Sequence, residues 1–163
     1  MIGRTGGKAS PERGLTFIEL LVVVTVLAVL ASLVIPLARW DEKRRREEQL
    51  RMALRTMREA IDTYRTYCEQ GLIVQTDVEQ EHYPRDLDEM VDGVDVAQRD
   101  SPDSKKVRFL LRIPIDPFTE TPEWGKRSYQ DDWDSDSWGE ENLYDVYSLS
   151  PGVALDGTEY KDW

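Results

Sequence analysis

Arg13-Gly14-Leu15-Thr16-Phe17-Ile18-Glu19 opens the long apolar run of this chain and sets a carboxylate at the fifth residue of a stretch that continues to Ala38. Over the 24 residues 15–38 the only other polar side chains are Thr16, Thr25 and Ser32. That length suffices for a bilayer, since about 20 apolar residues in a helix cross a hydrocarbon core of roughly 30 Å. A secretory signal is shorter, with an apolar region of about 7–15 residues before a small-residue cleavage site. A simple anchor explains the apolar run but not Glu19. A charge within such a span costs roughly 2.5–3.5 kcal/mol on insertion scales, so an acidic residue there points to a partner.

Composition narrows what the rest of the chain can be. Beyond Ala38 there are 125 residues, enough for one modest domain. The net charge of −11 disfavours nucleic acid as a partner. Cys68 is the single cysteine, which excludes an intrachain disulfide, and no zinc ligand set accompanies it. The lone histidine, His82, has no acid–base partner set around it and reads as a surface or loop residue.

From Trp40 to Gln70, apolar residues recur at three- and four-residue steps through Leu50, Leu54, Met57, Ile61, Tyr64 and Cys68, which predicts one amphipathic helix ended by Gly71. Pro36 lies between this helix and the apolar run and removes a backbone donor, so it is expected to kink or loosen the junction. The basic run Lys43, Arg44, Arg45 and Arg46 reads first as a solvated helix face, with Glu42 and Arg46 at i,i+4. A second reading puts it at lipid headgroups or against acidic surfaces of neighbouring subunits. Downstream, Pro84 and the acids after it, with Leu87, Met90 and Val91 on one face, predict a short helix ended at Gly93. Residues 95–106 are polar and expected to loop out, and residues 107–113 fit either strand or helix. Leu143, Asp145, Tyr147 and Leu149 alternate with Tyr144, Val146 and Ser148, the two-residue period of a strand.

Gly14 followed by Leu15-Thr16-Phe17-Ile18-Glu19, then the apolar run and Pro36 in register, resembles the processing site of type IV prepilins and of type II secretion pseudopilins. Ile113-Pro114-Ile115-Asp116-Pro117-Phe118-Thr119, with Tyr83-Pro84 before it and Tyr144-Asp145-Val146-Tyr147-Ser148-Leu149 after it, is similar to the major pseudopilins among them. The resemblance implies an α+β, pilin-like fold: a long N-terminal helix, half membrane-spanning and half amphipathic, packed on a small antiparallel sheet of which residues 127–130 and 143–149 would be two strands. Residues 1–14 would be a cytoplasmic leader, 15–38 the transmembrane and assembly helix, and 39–163 a periplasmic domain. A membrane-embedded prepilin peptidase would cut between Gly14 and Leu15, leaving a new, N-methylated amino terminus; Leu15 departs from the Phe or Met most often found there. The side-chain charge would then change from −11 to −13, because the leader carries Arg4, Lys8 and Arg13 against Glu12. Glu19 would neutralise the amino terminus of a neighbouring subunit during assembly.

Counting Arg and Lys on the two sides of the span favours the opposite topology, since Arg39 and Lys43 to Arg46 follow it. The resemblance alone places the N-terminus in the cytoplasm. It further implies no enzymatic activity, and a subunit that polymerises with other pseudopilins on an inner-membrane assembly platform to support type II protein secretion. The alternative is a type IV pilin, major or minor, which a larger variable loop and a disulfide-closed C-terminal region would favour.

Two acidic segments raise the question of calcium. Asp132, Asp134 and Asp136 have the spacing of a calcium loop, but Ser137 and Leu143 stand where an EF-hand needs Gly and Glu, which leaves a solvated hairpin loop. The segment from Ser150 to Trp163 is closer to the calcium-binding tail of the family, with Asp156, Asp162 and a carbonyl from around Leu149 as ligands. It departs from the family pattern at Ser150-Pro151-Gly152 and at Lys161. Two readings therefore stand: a calcium site, or an Asp156-Gly157 turn packed down by Trp163.

Overall fold

The computed structural model describes residue 14 and residues 16–75, 78–98 and 101–163, with backbone alone at 33–38, 78, 98 and 101–103. Leu15 and residues 1–13 of the expected leader lie outside the described residues. The chain forms two compact units, Met1–Asp41 and Glu42–Trp163. One helix, α1 (Phe17–Glu69), contributes to both. Its backbone is helical through Pro36.

In the first unit α1 is exposed from Phe17 to Leu30, with its large apolar side chains about half accessible or more. The two hydroxyls within it turn inward to the helix: Thr25 Oγ1 donates to the Leu21 carbonyl at 2.7 Å and Ser32 Oγ to that of Val29 at 2.7 Å. Among the described residues no helix is long and apolar enough to cross a membrane. The span read from the sequence, residues 15–38, includes side chains outside them.

In the second unit the helical periodicity places Leu50, Leu54, Met57 and Ile61 in a core with Tyr83, Leu87, Met90, Leu110, Trp124, Leu143, Val146 and Tyr160. Each such large side chain contributes about 1.5–3 kcal/mol on burial. A smaller cluster joins Tyr64, Cys68, Ile73 and Val96. Gly71, at φ 69°, ends α1 in a Schellman arrangement: its N–H donates to the Cys68 carbonyl at 2.9 Å and that of Leu72 to Tyr67 at 2.9 Å. The short helix α2 (Leu87–Asp92) is capped by Asp86, whose side chain accepts from the Glu89 N–H at 2.8 Å, and ends at Gly93 as the sequence predicts.

Residues 95–98 and 101–106 are strands rather than the expected loop. Strands β1 (Val94–Gln98) and β2 (Ser101–Val107) pair antiparallel, with Val94 opposite Val107 and Asp95 opposite Lys106. Val96 is buried in the smaller cluster, the half-buried Val94 and Val107 pack against it, and the Ala97 N–H donates to the Leu72 carbonyl at 2.8 Å. A second two-stranded sheet pairs β3 (Gly125–Arg127) with β4 (Asp145–Tyr147). Neither keeps its expected bounds: β3 meets residues 127–130 only at Arg127, and β4 is the middle of 143–149. The first stops before 128–130 because the Ser128 N–H donates to Asp131 Oδ2 at 2.7 Å, which turns the chain into the acidic loop. Between β2 and β3, the Asp-Pro turn is closed by Asp116, which is fully buried. Its Oδ1 accepts from the N–H of Phe118 at 2.7 Å and of Thr119 at 3.3 Å, and its Oδ2 from Ser148 Oγ at 2.5 Å.

Candidate functional site

The head of α1 assembles the sequence-level candidates Gly14 and Glu19. Gly14 is exposed, precedes the helix without regular structure, and a Cβ built on it meets nothing within 4 Å. Among the described residues nothing crowds that position. Thr16 caps the helix: its Oγ1 accepts from the Glu19 N–H at 3.3 Å, and its carbonyl accepts from the Leu20 N–H at 3.1 Å. Thr16 and Glu19 thus hold the cap and third-residue positions of a capping box, a Thr-x-x-Glu signal that was legible in the sequence and that sequence reasoning passed over. Glu19 sits in the first turn, where the positive end of the helix dipole favours a carboxylate. It also lies four residues past Leu15, and between it and Thr25 every side chain is apolar. A helix apolar all round is a buried element, covered by lipid or by other protein.

The C-terminal tail is gripped by one face of α1 within the second unit. Lys43 Nζ donates to the Val153 carbonyl at 2.6 Å, so part of the basic run read as a solvated face holds the tail. Glu47, 8% exposed, accepts from the Leu155 N–H at 2.8 Å and from the Tyr160 hydroxyl at 3.1 Å. Burial, and next the bond to Glu47, push the Tyr160 hydroxyl up to about 12. Arg51 reaches Asp156 Oδ2 at 3.3 Å and lies 4.1 Å over the Trp163 ring. Arg58 donates to both Asp145 oxygens, at 2.6 and 3.2 Å, to the Val146 carbonyl at 3.0 Å and to the Trp163 carbonyl oxygen at 2.7 Å.

Of the three suggested calcium ligands, Asp156 and Asp162 line one cavity of about 580 Å³, whereas Leu149 is not among its lining residues. Asp156 Oδ1 accepts from the Thr158 N–H at 3.0 Å and from its hydroxyl at 2.6 Å, and these bonds, more than the nearby Arg51, hold the carboxyl below its ordinary range. Arg51, Arg55 and Arg58 line the same cavity. Calcium takes about 6–8 oxygens. The lining holds four carboxylates, Glu59, Asp62, Asp156 and Asp162, interleaved with those three guanidinium groups, and no three of the four converge as a metal site requires. Among the described residues no group of three or more His, Cys, Asp or Glu side chains could hold a metal ion, Asp132, Asp134 and Asp136 included.

Burial is the main cause that raises the Cys68 thiol from 9.0 to about 11 and the Tyr64 hydroxyl from 10.0 to about 12. Neither is placed for nucleophilic chemistry.

Comparison with known proteins concerns the same N-terminal segment and the chain as a whole. The family model described as the prokaryotic N-terminal methylation motif matches residues 10–35. The type II secretion system core protein G of Escherichia coli (strain K12) is 25% identical over 151 residues, which cover 91% of this chain and 87% of that protein. The core protein G of Klebsiella pneumoniae is 26% identical over 156 residues, 93% of this chain and 94% of that protein. No solved structure gives a significant match. The chain thus joins the prokaryotic N-terminal methylation motif to a pilin-like fold and is similar over nine-tenths of its length to the type II secretion system core protein G.

Proposed function

We propose that this protein is a structural subunit, not an enzyme, that is trimmed between Gly14 and Leu15 and polymerises through α1 into a periplasmic pseudopilus supporting type II protein secretion. Before assembly it is held in the inner membrane by residues 15–38, with its N-terminus in the cytoplasm and residues 39–163 in the periplasm. Its partners are the prepilin peptidase, other pseudopilins and an inner-membrane assembly platform. The observation that carries this reading is Glu19, a carboxylate in the first turn of an exposed helix that is otherwise apolar from Phe17 to Val24. An unpaired charge buried in lipid or protein is costly, and a paired one is tolerated. Trimming creates a free α-amino group at Leu15, and the equivalent group of a neighbouring subunit is a cation of the right size and depth to pair with Glu19. Pro36 leaves one helix carbonyl without its usual donor and marks where α1 would stretch as subunits pack.

The decisive variant is Glu19→Leu. It is expected to insert and be trimmed as wild type, yet to give few or no filaments and no secretion when it is the sole copy. Filament yield equal to wild type would show that Glu19 is not needed for assembly. The second reading, a type IV pilin, lacks its usual support because Cys68 is buried without a disulfide partner. Deleting the protein separates the two: loss of protein secretion supports the pseudopilus, and loss of surface fibres with secretion intact supports the pilus.

A further inference from the structure

A tail that must be held shut needs its carboxylates and carbonyls matched by something positive or by donors. In this chain α1 supplies that match. Lys43, Glu47, Arg51 and Arg58 are spaced by four, four and seven residues, so they share one helix face. Each reaches a different point of the tail, from Val153 through Asp156 to Trp163.

Arg51 stands where the two ends of the tail meet. Its guanidinium bonds Asp156 on one side and stacks on Trp163 on the other, and Trp163 Nε1 donates to Thr158 Oγ1 at 2.7 Å, the same hydroxyl that donates to Asp156. The result is a closed circuit of Arg51, Asp156, Thr158 and Trp163. A guanidinium is permanently charged and planar, so one group serves as counter-ion and stacking surface at once. Glu59 and Asp62 line the same cavity, but no three of its carboxylates converge, and a divalent cation bridging Asp156 and Asp162 would have to displace Arg51 and then sit beside Arg55 and Arg58.

We propose that Arg51, backed by Arg58, takes the place of a calcium ion in closing the C-terminal tail, so that the periplasmic domain folds to full stability without metal. This reaches past the assembly role and is independent of it, since it concerns the fold of one subunit.

The test uses the full chain in detergent micelles, with thermal unfolding followed in excess chelator and in millimolar calcium, and calcium binding followed by calorimetry. Wild type is expected to melt at the same temperature in both and to bind no calcium. Arg51→Gln is expected to melt a few degrees lower in both, and Arg58→Gln lower still, because it loses bonds to Asp145, Val146 and Trp163 together. A saturable rise in wild-type melting temperature with calcium, abolished by Asp156→Asn, would overturn the proposal. So would an Arg51→Gln protein as stable in chelator as wild type.

Discussion

Replacing Asp116 by alanine removes the acceptor on which the turn after Pro114 is built. Three donors lose their partner: the N–H of Phe118, that of Thr119 and the hydroxyl of Ser148. The bonds at 2.7 and 2.5 Å are short and the third, at 3.3 Å, is marginal. Each buried donor left unsatisfied costs about 1–3 kcal/mol, and two strong losses with one weak loss give roughly 3–5 kcal/mol. Against a total of about 5–15 kcal/mol for a domain, that is a large fraction. A unit of this size, Glu42–Trp163, shifts by about 4 °C per kcal/mol, so the melting temperature should fall by roughly 12–20 °C. Asp116→Asn keeps one carbonyl oxygen for the two N–H donors, and Ser148 Oγ can accept from its amide, so it should recover most of the loss. Circular dichroism melts of the three proteins measure this. Asp116→Ala within about 1 kcal/mol of wild type, or Asn no better than Ala, would show that the turn is held by its prolines and packing rather than by the carboxylate.

Substituting Gly14 by a bulky residue should leave the chain longer by residues 1–14, because the helix cap at Thr16 and the space around Gly14 are unaffected and only the peptidase is refused; N-terminal sequencing reads the outcome, and a wild-type protein beginning at Met1 or after Ala31 contradicts the processing reading. Alkali should destabilise the domain in a defined window. Folding raises the Cys68 thiol from 9.0 to about 11 and the Tyr64 and Tyr160 hydroxyls from 10.0 to about 12, so the native state holds protons the unfolded chain releases. That stability is complete below about pH 9 and falls as pH rises through 11 and 12. Replacing Tyr160 by Phe should flatten the upper part of this profile in urea titrations. Cys68 should also react slowly with thiol reagents at pH 8 until the domain unfolds, as only the thiolate attacks.

The elements legible in the sequence are those whose signal is local. The helix from Trp40, its stop at Gly71 and the Asp86 to Gly93 helix each rest on spacing or capping within a few residues. The β1–β2 hairpin escaped because its apolar signal is sparse: Val94, Val96 and Ala97 on one strand and Val107 at the far end of the other, among mostly polar residues. The polar face of α1 was unreadable for a different reason. Lys43, Glu47, Arg51 and Arg58 meet partners 87–113 residues away, and nothing in a helical wheel distinguishes a charge that meets water from one that meets a distant tail. At the head of α1 the reverse holds, since Gly14, Thr16 and Glu19 lie within six residues and their arrangement follows from helix geometry alone.

The exposed apolar length of α1 bears on what drives such a subunit from one place to another. Lipid tails are about as apolar as leucine side chains, so moving this helix from bilayer to a bundle of its own kind gains little from the hydrophobic effect. Leu20, Leu21, Val22, Val23 and Val24 are each about half exposed on the helix, and their side chains are no more apolar than the tails or neighbours that would cover them. If the chain polymerises as proposed, the direction of transfer would be set by the few polar groups whose surroundings differ between the two, Glu19 foremost. The apolar length would then serve as a passive runner, equally suited to lipid and to filament, along which one carboxylate decides the destination.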